Sequence, residues 1–337
     1  MDLSTYQFDA FTQQFYHFQE EQILSQGTLL VPGGGCVYWR SKKGAACTFC
    51  SFPQLTKTLN GSRETNYRSW ALKEDVYKAM LSYHQTTLID CQRLAIFNGG
   101  SFFPRTELPI SFQEYVFDYV SRHHSITELL VECYPNFIHK VDIIRAIEQL
   151  NGKQLVIGIG FESQDDHIRN HLLNKGISKQ LFEQKVTLLK TMGVKVYVYV
   201  FLKAPGVSEI KALHEALDTI SYLVELGVDE IALSCAFVSE NTPLEREFLR
   251  GQFIPPTLWS IAEILYQAKH KGWPLSLGRF HDTPAPIAIP ANCERCSPMI
   301  YDIFEHYRVT GEFEIKSMPK CDCKNAWLNE NQLHLKN

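Results

Sequence analysis

Short runs of aliphatic and aromatic residues recur along the chain, separated by longer stretches in which apolar residues return every third or fourth position. The runs are "TLLVP" around Leu29, "RLAIFNGG" ending at Gly100, "ELLVECY" ending at Tyr134, "LVIGIGFES", "VKVYVYVFLK", "EIALSCAFV" and the weaker "PLSLGRF". Between them "SFQEYVFDYVSRHH", "KVDIIRAIEQL", "SKQLFEQKVTLLKTMG" and "EIKALHEALDTISYLVELG" carry helical spacing, and Gly193 and Gly227 fall where helix C-caps are expected. Strands alternating with helices of this length predict βαβ units and a parallel sheet. Six or seven such units suit a barrel better than a short sheet. The opening residues, polar and aromatic at helical spacing, predict a helical segment over 1–27. The barrel is expected over 28–284, ending in the Pro-rich "FHDTPAPIAIPANCERC", with a Cys-rich appendage over 285–337. No repeat of roughly 20 to 50 residues interrupts this order.

Composition narrows the setting. With 337 residues, 45% of them hydrophobic and 21% charged, the chain can bury a substantial core. No apolar run reaches the ~18 to 20 residues of a membrane span, and no signal-peptide pattern opens the sequence, so a cytoplasmic protein away from membranes is expected. There, clustered cysteines bind metal or do redox work more often than they form structural disulfides. The net charge of -4 gives no global pull toward nucleic acid. Arg40, Lys42 and Lys43 are a local exception, which a solvated loop also explains.

Three of the ten cysteines, Cys36, Cys47 and Cys50, form C-x10-C-x2-C after the first parallel strand. Three thiolates can hold a metal cluster and leave one position open. Functional residues of α/β barrels gather at the C-terminal ends of strands, where this chain places Asn98, Gly99, Gly100 and Ser101, then Glu132, then Glu162 and Ser163, then Lys203. Taken singly these have simpler readings: "GG" also makes a turn, and Glu162 also suits a helix N-terminus. Cys293, Cys296, Cys321 and Cys323 read C-x2-C-x24-C-x-C. Four thiolates at that spacing suit tetrahedral zinc, an auxiliary iron-sulfur cluster uses the same ligands, and free thiols remain open, as does His281 or His306 in place of one cysteine. Cys91, Cys133 and Cys235 sit in apolar surroundings and read as core residues. His123 and His124 end a helix, where the dipole accounts for them. "GGG" at Gly33 is followed by no G-K-[ST] and is not a phosphate loop.

The cysteine triad, with Phe49 just before its last member, resembles the cluster loop of radical S-adenosylmethionine enzymes, and its long first gap resembles that of the elongator catalytic subunit. The resemblance implies a partial (β/α)6-type TIM barrel. It also implies a 4Fe-4S cluster on Cys36, Cys47 and Cys50, whose open iron chelates the amino and carboxylate groups of S-adenosylmethionine. "NGGSFF" is similar to the strand-end motif that holds the methionine amino group, with Ser101 where the family often has Glu, which leaves that role to backbone carbonyls. Glu132 in "VECYP" would lie near the ribose hydroxyls, Glu162 at the mouth of the strand against adenine, and Arg169 near the methionine carboxylate.

A narrower resemblance covers nearly the whole chain. "GFESQDDHIRNHLLNKG", "YVFLKAPGVSE", "NCERC" and "CDCKNAW" look like the archaeosine-forming radical enzymes, which act on a lysine-modified deazaguanine in the dihydrouridine arm of tRNA. Asn174, Lys175, Gly176, Lys203 and Pro205 match recurring segments, which makes Lys203 a cofactor-side and Asn174 and Lys175 substrate-side candidates. A turn cap and a solvated lysine are the alternatives for the last two. The resemblance implies reductive cleavage of S-adenosylmethionine to a 5′-deoxyadenosyl radical that abstracts a hydrogen, an electron donor of flavodoxin or ferredoxin type, a tRNA substrate and a tRNA-modifying partner subunit. Zinc is expected in the tail. A small-molecule or protein side-chain substrate, and a non-catalytic metal-bearing module, are the competing readings.

Overall fold

All seven expected strands form and lie side by side in chain order. The computed structural model describes residues 3–4, 6, 8–43, 46–52, 71–281 and 285–331. The eight strands are β1 (Asp9–His17), β2 (Gln22–Leu30), β3 (Arg93–Phe97), β4 (Glu128–Glu132), β5 (Gln154–Glu162), β6 (Lys195–Leu202), β7 (Glu230–Cys235) and β8 (Leu275–Leu277), in the sheet order β1 to β8. Only the β1–β2 pair is antiparallel; every later neighbour is parallel. After the short α1 (Val37–Ser41) come α2 (Glu74–Tyr83) and α3 (Gln85–Leu88). The crossovers are then α4 (Ile110–Arg122), α5 (Lys140–Leu150), α6 (Lys179–Thr191), α7 (Glu209–Glu225), α8 (Pro243–Leu249) and α9 (Leu258–Lys271), with α10 (Ser297–Thr310) and α11 (Asp322–Glu330) last. Gly193 and Gly227 lie one residue past the C-caps of α6 and α7, with φ of 71° and 79°, conformations that glycine adopts without strain. No helix among the described residues is long and apolar enough to cross a membrane.

The opening segment is a correction. Residues 9–17, expected to be helical, form β1, an antiparallel hairpin partner of β2. Phe11 and Phe15 are four apart, a spacing that period two satisfies as well as period 3.6, and the surrounding Thr, Tyr and Phe favour a pleated surface. The free edge of β2 supplied the pairing that decided the matter. The stretch expected as an appendage also does more than append: α10 packs against β1, β2 and β8 and adds Ile300, Phe304 and Tyr307 to the main core. Residues 282–284 of the Pro-rich segment lie outside the described residues.

Along β3 to β7 successive side chains alternate between the helix-covered outside and the barrel interior. The outward set, such as Leu94, Ile96, Leu129, Val131, Val196, Val198, Ile231 and Leu233, joins the main core. The inward set is layered. The first residues of four strands, Arg93, Glu128, Lys195 and Glu230, form a buried ion network at the N-terminal end. There Arg93 Nε donates to Glu128 at 2.8 Å, its two terminal nitrogens reach Glu230 at 2.9 and 2.5 Å, and Lys195 Nζ meets Glu128 at 2.5 Å. His17 at the end of β1 accepts the Glu20 N–H on Nδ1, which places its ring proton on Nε2, 3.4 Å from Glu128. Above this plug Ala95, Leu130 and Val156 form a thin apolar layer with Phe97 and Tyr197. The interior above that layer is open.

Burial alone would raise the Glu128 carboxyl, but the His17 ring, Arg93 and Lys195 outweigh it and hold it well below the usual carboxylate range. Its stabilising contribution is therefore complete above that range and is lost as pH falls through the depressed value. Arg93→Met, which leaves two buried carboxylates without their shared cation, is expected to lower stability at pH 7 by roughly 3–5 kcal/mol. In thermal melts the gap to wild type should narrow as pH drops below the ordinary carboxylate range; a gap that is constant with pH would contradict this account of the plug.

Candidate active site

The open end of the barrel is a cavity of about 340 Å³ at the C-terminal ends of the strands. Its lining joins the cluster loop (Cys36, Tyr38, Cys47, Phe49, Cys50) to Gly99, Gly100 and Ser101 after β3, Glu132 of β4, Gly158, Gly160 and Glu162 of β5, Tyr199 and Phe201 of β6, Ser234 of β7, and Lys175. The three cysteines, far apart in sequence from the lining residues on β3 to β7, thus face the strand-end residues the sequence singles out. Burial raises all three thiols, Cys36 to about 12, with Glu107 adding to that rise. Loading the site with metal must displace those protons.

The cluster loop is seated by close backbone approach. A Cβ on Gly33 would stand 2.5 Å from the Asn98 carbonyl oxygen and one on Gly34 1.9 Å from that of Thr106, so "GGG" serves packing. On its other side the loop grips residues 172–176. Thr48 N–H and its hydroxyl donate to the carbonyls of Leu173 and Leu172, Asn174 Nδ2 donates to Ala46, and the Tyr38 hydroxyl donates to the Asn174 carbonyl at 2.9 Å. Tyr134 stacks on Tyr38 with centroids 4.8 Å apart and donates to the carbonyls of Lys175 and Gly176. Gly176, at φ 66°, has its Cβ direction occupied by the Tyr38 hydroxyl.

These clasps present Lys175 to the cavity. Its Nζ bonds Glu162 Oε1 at 2.7 Å and lies 5.6 Å above the Phe49 ring. Burial opposes its charge, but the Glu162 carboxylate outweighs burial and raises its pKa. Gly160 makes room for the pair, since a Cβ there would sit 2.5 Å from both Glu162 Oε1 and Lys175 Nζ. Glu162 itself adopts φ 73° at a register shift in β5, a left-handed conformation that a non-glycine residue holds only when its surroundings enforce it. Glu132, on the neighbouring strand in register with Gly158, is pushed up by burial against the opposing effects of the Tyr199 hydroxyl and Lys175.

Four expected residues are not brought to the cavity. Arg169 is fully buried, with Nε on the Ile177 carbonyl, a terminal nitrogen on that of Ser163, an ion pair to Asp166, and its plane 4.6 Å from the Phe161 ring centroid. Its guanidinium is spent on fixing the π-helical turn Ile168–Leu172 that leads to Lys175. Lys203 pairs with Glu209 at 2.6 Å, and Glu209 also accepts from Thr257 and Ser260. Asn98 is buried beneath the strand end and Asn174 is tied to the cluster loop. Cys133 and Cys235, read as core, are buried and also reach the cavity wall.

The residue that sequence reasoning missed is Glu107. It is fully buried, its Oε1 accepts the Val37 N–H at 2.9 Å and its Oε2 the Ser101 N–H at 2.6 Å, and burial pushes the carboxyl up to about 7 against those two bonds. A glutamate in a loop after "FFPR" looks solvated, and no local pattern separates it from one.

The tail cysteines converge. Cys293 lies 3.4 Å from Cys296 and from Cys321, Cys296 3.4 Å from Cys323, and Cys321 3.3 Å from Cys323. All four ligand atoms fall within 4.8 Å of one another, and neither His281 nor His306 joins them. The Trp259 indole donates to Cys323 at 3.3 Å. The Cys323 amide and thiol, with the Arg295 guanidinium, pull Cys321 down to about 6. His17, Glu128 and Glu230 also converge, but Arg93 already neutralises that group.

No family model matches the chain. A Methanosarcina acetivorans protein named archaeosine synthase subunit beta is 30% identical over 300 residues, 89% of this chain and 83% of its own length. An uncharacterized protein of Methanocaldococcus jannaschii is 27% identical over 309 residues, 89% of this chain and 80% of its own. Among solved structures, the Elp3 of Methanocaldococcus infernus superposes with a TM-score of 0.50 at 18% identity, over 69% of this chain and 58% of that one, a likeness of fold. With the triad, the glycine-rich strand end and the barrel in one arrangement, the chain belongs to the archaeosine synthase subunit beta family.

Proposed function

We propose that this chain binds a 4Fe-4S cluster through Cys36, Cys47 and Cys50 and S-adenosylmethionine beside it, and acts on a lysine-adduct deazaguanine in tRNA. One observation carries the cofactor half: the three thiols, the Gly99–Ser101 segment and the Glu132, Glu162 and Lys175 side chains line a single cavity. The three thiols share that cavity without closing on one another within the 4.8 Å that encloses the tail thiols, so among the described residues they do not form a compact single-ion site like the tail. Bound there, cluster and cofactor supply one-electron reductive cleavage and hydrogen abstraction. The chain's own residues orient the cofactor. The Gly99 and Gly100 backbone receives its amino group, Glu132 its ribose hydroxyls, and Lys175, the cation in the cavity lining among the described residues, takes the carboxylate in place of Arg169. Glu162 keeps Lys175 charged and aimed.

The substrate half rests on the family. The relatives carry the name subunit beta, and this mildly acidic chain needs a surface for phosphates, so a companion subunit supplies the tRNA grip. In the tail, sulfur separations of 3.3 and 3.4 Å suit one tetrahedral ion, for which Zn–S bonds of about 2.3 Å set thiolates roughly 3.8 Å apart. A four-iron cube would hold its thiolates much farther apart. Zinc is the closed-shell ion that four thiolates favour.

Anaerobically reconstituted protein is expected to hold about four irons and one zinc. Eight irons and no zinc would refute the tail assignment, whereas Cys321→Ser should release zinc without loss of iron. Cys47→Ala is expected to abolish dithionite-driven 5′-deoxyadenosine formation, and persistent cleavage would sink the triad's role. Lys175→Ala should raise the KM for S-adenosylmethionine by about tenfold or more. Arg169→Gln should instead lower the melting temperature and leave that KM near wild type; the reverse pattern would return the carboxylate to Arg169. With the companion subunit present, adduct-bearing tRNA should accelerate cofactor cleavage, and indifference to that tRNA would remove the substrate assignment.

A further inference from the structure

Two loops must hold a fixed spacing for the site to work: the one carrying the first cluster thiol and the glycine-rich end of β3. Cys36 and Gly99 are 63 residues apart in sequence, and among the described residues no strand pairing joins the two loops beyond the last bond of β2 to β3, where Val31 N–H donates to Phe97. What spans them is Glu107. One carboxylate oxygen accepts from Val37, the residue after Cys36, and the other from Ser101, the residue after Gly100. The backbone reinforces the side chain, since Gly34 N–H donates to the Glu107 carbonyl at 2.7 Å. Cys36 is the N-cap of α1 and makes no side-chain cap, so the tertiary carboxylate satisfies the first orphan amide of the helix. Gly100 is glycine for the same reason: its Cβ would stand 1.9 Å from Glu107 Oε2 and 3.3 Å from the Cys36 Cα.

We propose that Glu107 is the positioning residue of this enzyme, a clamp that sets the distance between the Cys36 end of the cluster loop and the Gly99–Ser101 backbone that receives the cofactor. The inference rests on the cofactor half of the functional reading. Glu107 touches neither cluster nor cofactor in this role; it fixes two peptide planes relative to each other. A carboxylate is needed because only two acceptor oxygens can serve two converging N–H groups. The isosteric amide of glutamine turns one of them into a donor facing a donor.

The test compares wild type with Glu107→Gln. With cluster assembled and reduced, the variant is expected to hold about four irons and show the reduced-cluster EPR signal, yet to need about tenfold more S-adenosylmethionine to produce the spectral change that wild type shows. KM should rise by the same factor with kcat changed far less. An unchanged titration in Glu107→Gln overturns the clamp. Wild-type protein whose EPR signal ignores S-adenosylmethionine overturns the functional reading instead. The clamp is then judged on cluster-free protein by amide-resolved hydrogen exchange, where Val37 and Ser101 should accelerate together in the variant while α6 amides do not change. Continued protection of either amide refutes the clamp. Should the variant not fold, the wild type decides: Val37 and Ser101 opening at one common rate supports the clamp, and independent opening refutes it.

Discussion

Everything in this molecule depends on the pleat of a parallel strand, which sends successive side chains to opposite faces. In a barrel one face must be covered by helices and the other must fill a closed interior. The outward positions of β3 to β7 are accordingly aliphatic. The inward positions are graded along the strands, from a polar first residue, charged in all but β5, through an apolar or aromatic layer to glycine, glutamate, tyrosine or serine at the top. A plug, a thin apolar floor and a cavity follow from one alternation read along five strands.

The plug and the cavity impose opposite electrostatic conditions. At the bottom, Arg93 and Lys195 offset Glu128 and Glu230 at bonding distance, so the network is satisfied and has no position left for a ligand. At the top, one lysine, two carboxylates and five thiols, three of them in the cluster loop, share a volume with glycine walls, and the Glu162–Lys175 pair is held at a strained backbone position. Paired buried charge is costly to break, whereas charge left beside empty volume is available to a bound molecule. The cluster loop belongs to the second condition, and three separate anchors seat it: the Tyr38–Tyr134 clasp on residues 174–176, Thr48 on residues 172–173, and Glu107.

The strands and helices of the barrel were legible because each is a local periodicity long enough to exclude its rival. The N-terminal hairpin was not, because a spacing of four serves both periods and only the edge of β2 discriminates between them. The cysteine sets were legible as ligand sets because their spacing is itself a chemical statement. Arg169 and Lys203 were misplaced for the converse reason: a charged residue near a strand end carries no mark of whether it faces the cavity or a buried carbonyl. Lys175 was read as substrate-side, although the structure puts it among the cluster thiols. Glu107 left no trace at all, since its burial comes from two loops that meet only after folding.

By itself, then, the sequence determined which elements of the barrel form after the N-terminal hairpin, which cysteines act together, and the family to which the chain belongs, all properties carried by near neighbours or by spacing along the chain. Only the tertiary structure decided which charge enters the cavity, that the tail thiols close on one another to within a single ion's reach, and that a distant glutamate ties the cluster loop to the glycine-rich strand end. Those outcomes depend on the direction of side chains brought together from distant segments. Direction in space is settled by packing and desolvation across the whole barrel, not by any local run of residues.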